Sequence, residues 1–174
     1  MATNDVNNFK AKFTGGGARP NRFRVLLTFP GYVNGDTELA SFMTKAASLP
    51  GVTLGEITVP FRGRQTYWPG DKTFEPWSIT VINDTNFSVR DALIAWSDGI
   101  NDNTTNASTV DVQNWFSDLV VEQLDLDSET VLKRYKMIGA YPTAISEIAL
   151  ANESGDSIEE FTCQFRYISW SEIK

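Results

Sequence analysis

The chain has 174 residues, of which 41% are hydrophobic and 21% charged, and this is enough to bury the core of one globular domain. It has no histidine and one cysteine, Cys163, which excludes an intrachain disulfide, paired-cysteine zinc sites and histidine-dependent catalysis. The formal net charge of −7 is uneven, because residues 1–74 are net basic and residues 75–174 strongly acidic. This asymmetry fits either complementary assembly faces or a solvated acidic surface, and an acidic chain is a poor candidate for tight nucleic-acid binding.

Residues 1–21 have the composition of an arm. The segment is polar, contains a glycine triplet at positions 15–17, and lacks a signal-peptide pattern. No apolar run reaches the roughly 20 residues that span a bilayer, so we expect no membrane anchor. The arm is expected to be either disordered or ordered against a neighbouring subunit.

Alternation of apolar and polar residues predicts about seven or eight strands. The pattern of Leu39–Ser48 is ambiguous between helix and strand, and we expect a strand because Leu49-Pro50-Gly51 follows it. We expect residues 52–68 to form an extended β excursion and Ala140–Thr143 to break the chain. In the last strand, Phe161, Cys163, Phe165 and Tyr167 share the apolar face. The remaining predicted strands are Arg22–Phe29, Thr73–Asn83, a hairpin of Leu119–Leu126 with Val131–Gly139, and Ser157–Trp170.

One main helix is predicted over residues 88–99, with an apolar stripe on one face. Ser88 is expected to cap it, with Asp91 three residues later, and Gly99 to end it. The polar loop at 101–114 is expected to be exposed and mobile. The chain therefore predicts a mainly β, antiparallel sandwich or small barrel with one flanking helix, in a single domain of residues 1–174.

Two classes of function can be considered from the residues alone. An enzyme could use paired carboxylates, for which the candidates are Asp125, Asp127, Glu129, Glu159 and Glu160. A carbohydrate-binding sandwich could use exposed aromatic residues such as Tyr67, Trp68, Trp115 and Phe116 as stacking platforms. Neither alternative has a specific motif. We expect no enzymatic activity, no cofactor and no metal ion.

Three sequence blocks, in order, carry a family resemblance. The first is Ala18-Arg19-Pro20-Asn21-Arg22-Phe23. The second extends from Leu49-Pro50-Gly51 through Gly70-Asp71-Lys72-Thr73-Phe74 to Asn83-Asp84, and the third begins at Gly139-Ala140-Tyr141-Pro142-Thr143. Together they resemble the tail tube proteins of contractile-tailed bacteriophages, a family that is similar in fold to the type VI secretion tube protein.

The resemblance implies a structural subunit of the virion, assembled in the host cytoplasm. Six copies would form a ring, and rings would stack into a tube inside a contractile sheath that conducts genomic DNA. The implied partners are further copies of the chain and the sheath, tape measure, baseplate and terminator proteins. A tube initiator or terminator, or a secretion tube, would share the same fold.

Two sets of residues are candidates for roles in such a tube. The polar faces of four predicted strands could line the lumen, with acidic groups in slight excess once loop carboxylates such as Asp127 and Glu129 are included. Aromatic and basic residues of the arm and the β excursion could contact other subunits. The lumen candidates are Ser78, Thr80, Gln123, Asp125, Arg134, Lys136, Glu160, Thr162, Gln164 and Arg166. The inter-subunit candidates are Phe9, Phe13, Arg19, Phe61, Tyr67 and Trp68.

Overall fold

The computed structural model describes residues 5–152, 155 and 157–173, which form three α-helices and nine strands. No helix within this part of the chain is both long and apolar enough to cross a lipid bilayer. The helices are α1 (Val6–Lys12), α2 (Thr37–Met43) and α3 (Ser88–Ile100). The strands are β1 (Phe23–Leu27), β2 (Thr44–Ala47), β3 (Thr53–Phe61), β4 (Arg64–Thr73), β5 (Trp77–Ile82), β6 (Ser117–Leu124), β7 (Val131–Ile145), β8 (Glu160–Arg166) and β9 (Ser169–Ile173).

Seven strands form one antiparallel sheet, and the long strand β7 divides it into two halves. Half A consists of β1, β6, residues 131–140 of β7, and β9; half B consists of residues 141–145 of β7, then β8, β5 and β2. The pairing of β7 passes from half A to half B next to Gly139, whose φ of 65° suits a residue without a Cβ atom. This architecture confirms the predicted mainly β, antiparallel class.

One hydrophobic core receives side chains from both halves and from α3. The alternation predicted in the last long strand is correct, because Phe161, Cys163, Phe165 and Tyr167 are all buried. On α3 the buried residues recur every three or four positions, which is the spacing of one helix face. They are Val89, Ala92, Leu93, Trp96 and Gly99.

The prediction of a strand over Leu39–Ser48 is partly wrong. Its first half belongs to α2, because Asp36 accepts hydrogen bonds from the backbone amides of Glu38 and Leu39 and thus caps a helix there. The helix ends at Met43. Thr44 begins β2 and donates its hydroxyl to the carbonyl of Ala40 at 2.7 Å.

The predicted main helix is present as α3, with 13 residues, and two helices of seven residues each, α1 and α2, accompany it. Ser88 is not the cap of α3. Phe87 occupies that position with a φ of 55°, and the carboxylate of Asp84 accepts from both the amide and the hydroxyl of Ser88. Gly99 lies inside the helix, which continues to Ile100.

Two predicted strand boundaries need correction. Ala140–Thr143 does not interrupt the chain, because β7 continues through Pro142, where a shift in register accommodates a residue without an amide proton. Conversely, Ser157–Trp170 is not one strand. The chain leaves β8 after Arg166 and begins β9 at Ser169, so that it moves from half B to half A.

Candidate assembly surfaces

The face of half B that points away from the hydrophobic core carries a continuous set of short polar side chains. Ser78 lies opposite Gln164, and Thr80 lies opposite Thr162, in the register of β5 with β8. The alternate residues of both strands are buried in the core, so these four side chains must point away from it. We call this surface the polar face.

Glu160 and Arg166 lie at the two ends of β8 on the same polar face. Lys45 Nζ on β2 lies 2.5 Å from Glu160 Oε1, and Arg166 Nη1 donates to the carbonyl oxygen of Phe74 at 3.3 Å. Lys45 and Glu160 neutralise each other, and Arg166 leaves one positive charge on this surface. Six of the ten predicted lumen residues are brought together here.

The other four lumen candidates lie elsewhere. Arg134 and Lys136 lie on the outer face of half A, and Gln123 and Asp125 lie at the end of the β6–β7 hairpin. The Gln123 side-chain amide donates to the carbonyl oxygens of both Arg19 and Arg22, at 2.7 Å each, so it fastens the end of the arm to β6. The ten residues do not share one surface.

Glu122 is the main polar residue that the sequence did not reveal. Its side chain is only 1% exposed on the outer face of half A, where it accepts from Arg24 Nε at 2.8 Å and Arg134 Nε at 2.6 Å. Lys136 pairs with Asp118 at 2.7 Å on the same half. The Lys136 ammonium group lowers the pKa of Asp118. The cross-strand pairing of Arg24, Glu122 and Arg134 would be visible only with the strand register known.

The hairpin of β3 and β4 stands apart from the main sheet. Its strands pair only with each other among the described residues, and its tip is a two-residue turn in which Arg62 and Gly63 both have positive φ. The pairing places four large apolar side chains on one face, which we call the apolar stripe. The stripe consists of Ile57, Val59, Phe61 and Trp68, all of them exposed.

Tyr67 lies on the opposite face of this hairpin, opposite Thr58. The Arg62 guanidinium lies over the Phe61 ring, with 5.3 Å from Cζ to the ring centroid. An isolated two-stranded hairpin is marginally stable in water, and exposing an apolar stripe is unfavourable. The hairpin is therefore built like a segment that requires a further surface to pack against.

The N-terminal arm also exposes apolar side chains and is likewise built like a segment that requires a further surface to pack against. Phe9 and Phe13 stack with ring centroids 5.3 Å apart, and α1 buries none of its residues. Arg19 is exposed, although its carbonyl is held by Gln123. Part of the predicted arm, residues 1–4, lies outside the described residues.

Several acidic residues were candidates for a catalytic site, and they lie in the described part of the chain. No group of three or more Cys, Asp or Glu side chains there is placed to hold a metal ion. Asp127, one of the carboxylates considered for catalysis, is engaged with the backbone amides of Glu129 and Thr130 in the β6–β7 turn. Hydrogen bonds from Thr130 and Glu129 lower its pKa.

The family follows from the whole-chain match. Residues 18–173 match the model of the family described as phage tail tube protein. The chain belongs to the phage tail tube protein family. It is 33% identical over 171 residues to the tail tube protein of Serratia phage KSP90, a match that covers 96% of this chain and 95% of that relative. It is 28% identical to the tail tube protein gp19 of Enterobacteria phage T4, with 98% and 99% of the two chains covered.

Solved structures show the same tail tube fold at low sequence identity. The chain aligns with one from the anti-feeding prophage baseplate at a TM-score of 0.63 and 13% identity, covering 90% of this chain and 95% of that one. It aligns with a chain from the sheath–tube complex of an extracellular contractile injection system at a TM-score of 0.57 and 14% identity, covering 98% and 100%. The protein is thus a structural tail tube subunit, a component of a phage virion.

Proposed function

We propose that six copies of this chain close into a ring, and that the rings stack into a hollow tube inside a contractile sheath. The observation that carries this proposal is the pair of open edges in half B. No strand of the described chain pairs with the outer edge of β2, or with residues 141–145 of β7 on the side away from β8. Open edges of this kind promote pairing with another chain.

Pairing β2 of one copy with β7 of the next would extend half B around a closed circle. Such a contact joins two different surfaces, which produces a ring when the rotation between copies closes. A number of six is supported by the anti-feeding prophage baseplate, whose structure is six-fold symmetrised. The sheath as a partner is supported by the aligned sheath–tube complex.

The polar face of half B would then line the channel. Its side chains are mainly hydroxyl and amide groups, and its charged groups, Lys45, Glu160 and Arg166, leave one positive charge per copy. Such a wall would be hydrated and would present only one uncompensated positive charge per copy to the phosphate groups, so genomic DNA could pass without being held tightly. An acidic excess in the channel would depend on Asp127 and Glu129, which lie on the β6–β7 turn instead of this face.

The apolar stripe of the hairpin and the aromatic pair of α1 would contact neighbouring copies in this assembly. Both are exposed in one copy, and burying them would supply favourable free energy of association. We further propose contacts with tape measure, baseplate and terminator proteins at the ends of the tube, assembly in the host cytoplasm, and a structural role without catalysis.

A tube terminator is the second candidate, because a tube-terminating cap aligns at a TM-score of 0.63, equal to that of the baseplate chain. The full-length matches to tail tube proteins at 33% and 28% identity favour the tube subunit instead. Analytical ultracentrifugation and negative-stain microscopy of the purified chain would separate these outcomes. We expect rings and tubes of constant diameter. Monomers at every concentration would contradict the proposal, and rings that never stack would favour the terminator.

A further inference from the structure

The loop before α2 contains Asn34-Gly35, the only Asn-Gly pair in the sequence. Asn34 is exposed, and neither its side-chain amide nor the backbone amide of Gly35 has a hydrogen-bond partner among the described residues. The loop borders an open cleft that Asp36, Leu39 and Ser88 also line. Water therefore has access to the Asn34 side chain.

The fold requires a glycine after Asn34. A Cβ atom at Gly35 would lie 2.3 Å from a ring carbon of Phe29, which is far inside van der Waals contact. Phe29 in turn packs edge-on against the buried Trp96, with ring centroids 6.2 Å apart, so it has little freedom to move. A larger residue at position 35, which would shield its own backbone nitrogen, is thus excluded by packing.

We propose that Asn34 is a site of spontaneous deamidation. The backbone nitrogen of Gly35 attacks Cγ of Asn34; the new N–Cγ bond forms as the Cγ–Nδ2 bond breaks, and the side-chain nitrogen leaves as ammonia with the Gly35 amide proton. The product is a five-membered cyclic imide. Water opens it at Cγ to give aspartate, or at the main-chain carbonyl carbon to give isoaspartate. Nothing is oxidised or reduced.

Both products change the segment of chain that leads into the N-terminus of α2. Each adds a negative charge close to Asp36 and Glu38, and isoaspartate also adds a methylene group to the main chain. The adjoining residues are fixed, because the Val33 amide donates to the Pro30 carbonyl at 2.9 Å and Asp36 caps the helix. The longer main chain of isoaspartate cannot keep both the Val33–Pro30 hydrogen bond and the Asp36 cap in their present geometry. The isoaspartate form should therefore unfold at a lower temperature than the intact protein.

Incubation of the folded full-length chain at pH 6 and pH 9, followed by peptide mass spectrometry, tests this proposal. We expect conversion of amide to acid at Asn34 to be several-fold faster than at Asn86 or Asn103, which precede larger residues. The rate should rise with pH, because the attacking nitrogen must lose its proton. Labelling with an isoaspartate methyltransferase should be much weaker in Asn34→Gln than in the wild-type chain, and the labelled peptide of the wild type should be the one that contains Asn34.

A sample incubated in urea supplies the control for protection by the fold. Conversion of Asn34 in urea but not in the folded protein would overturn the proposal, since it would show that the native loop forbids the cyclic geometry. Equal rates at Asn34, Asn86 and Asn103 in the folded chain would also overturn it. Circular dichroism of Asn34→Gln should match that of the wild type, because the side chain makes no hydrogen bond among the described residues.

Discussion

Arg134 Nε donates to Glu122 Oε1 at 2.6 Å across the β6–β7 pair, and this contact holds a carboxylate that is almost completely buried. Arg24 donates to the other carboxylate oxygen from β1, so three strands of half A meet at one charge. A buried charge is tolerated only when it is paired and hydrogen-bonded. The Arg24–Glu122 pair thus joins strands that are about a hundred residues apart in sequence.

Removing both arginines should destabilise the chain more than removing the glutamate. In Arg24→Met/Arg134→Met the carboxylate stays buried without a partner, and breaking a buried pair in this way costs about 3–5 kcal/mol. In Glu122→Gln the two guanidinium groups are partly exposed and can be solvated, so the loss should be smaller. Urea unfolding of the three chains measures the difference, and a larger loss in Glu122→Gln would contradict the assignment.

Gly99→Ala should destabilise α3 although alanine favours helices. The new Cβ atom would lie 2.3 Å from a ring carbon of Tyr32, whose hydroxyl donates to the Trp96 carbonyl at 3.0 Å. Overpacking of this kind typically costs about 1–3 kcal/mol, against a gain in helix propensity of up to about 1 kcal/mol. Gly31→Ala is the matched control, because nothing lies within 4 Å of its Cβ position. Equal thermal midpoints for the two variants would refute this explanation.

The Cys163 thiol should be unreactive in the folded chain and should contribute to unfolding in alkali. Burial raises its pKa from 9.0 to about 12. The folded state therefore holds the proton more tightly than the unfolded state, and this stability is complete below pH 9 and is lost as the pH rises toward 12. Iodoacetamide at pH 8 should label the chain only in denaturant. Cys163→Val should lessen the alkaline loss of stability, and an unchanged pH dependence would contradict a raised thiol pKa.

The sequence predicted the elements that local patterns determine. Alternation in β8 and the apolar stripe of α3 depend on neighbouring residues, and both are correct. The wrong predictions concern segments whose secondary structure depends on contacts with residues outside the segment. Whether Ala140–Thr143 interrupts a strand depends on β8 lying beside it, and the α2 region is ambiguous by pattern until Asp36 is known to cap a helix.

The candidate surfaces were predictable to a similar extent. Every second residue of a strand faces the same side, and this alternation correctly places Ser78 and Thr80 of β5 on one face with Thr162 and Gln164 of β8. Glu122 could not be recognised, because a glutamate within a strand is usually exposed and only the register reveals its two arginine partners. The placement of Gln123 likewise depends on contacts with Arg19 and Arg22, about a hundred residues earlier.

Trp68→Ser should weaken assembly with little effect on the fold of the single chain. Trp68 belongs to the apolar stripe and is 63% exposed, so it contributes little to the core of its own copy. Tyr67→Ser is the matched comparison, since Tyr67 is similarly exposed on the opposite face of the hairpin. Sedimentation should show a larger loss of assembled material for Trp68→Ser. Normal tube formation by this variant would show that the stripe is not an essential contact.

Thr162→Lys/Gln164→Lys should convert the proposed channel wall from a weakly interacting surface into one that retains DNA. Both side chains lie on the polar face and form no hydrogen bond with the described residues, so tubes should still assemble. The added ammonium groups, repeated in every copy, would bind phosphate groups with release of counterions. Assembled tubes should then retain a fluorescent DNA duplex at low salt and release it at high salt, whereas wild-type tubes retain little. Asn86→Lys adds charge at an exposed loop outside this face, and retention by that variant to the same extent would place the DNA contact elsewhere.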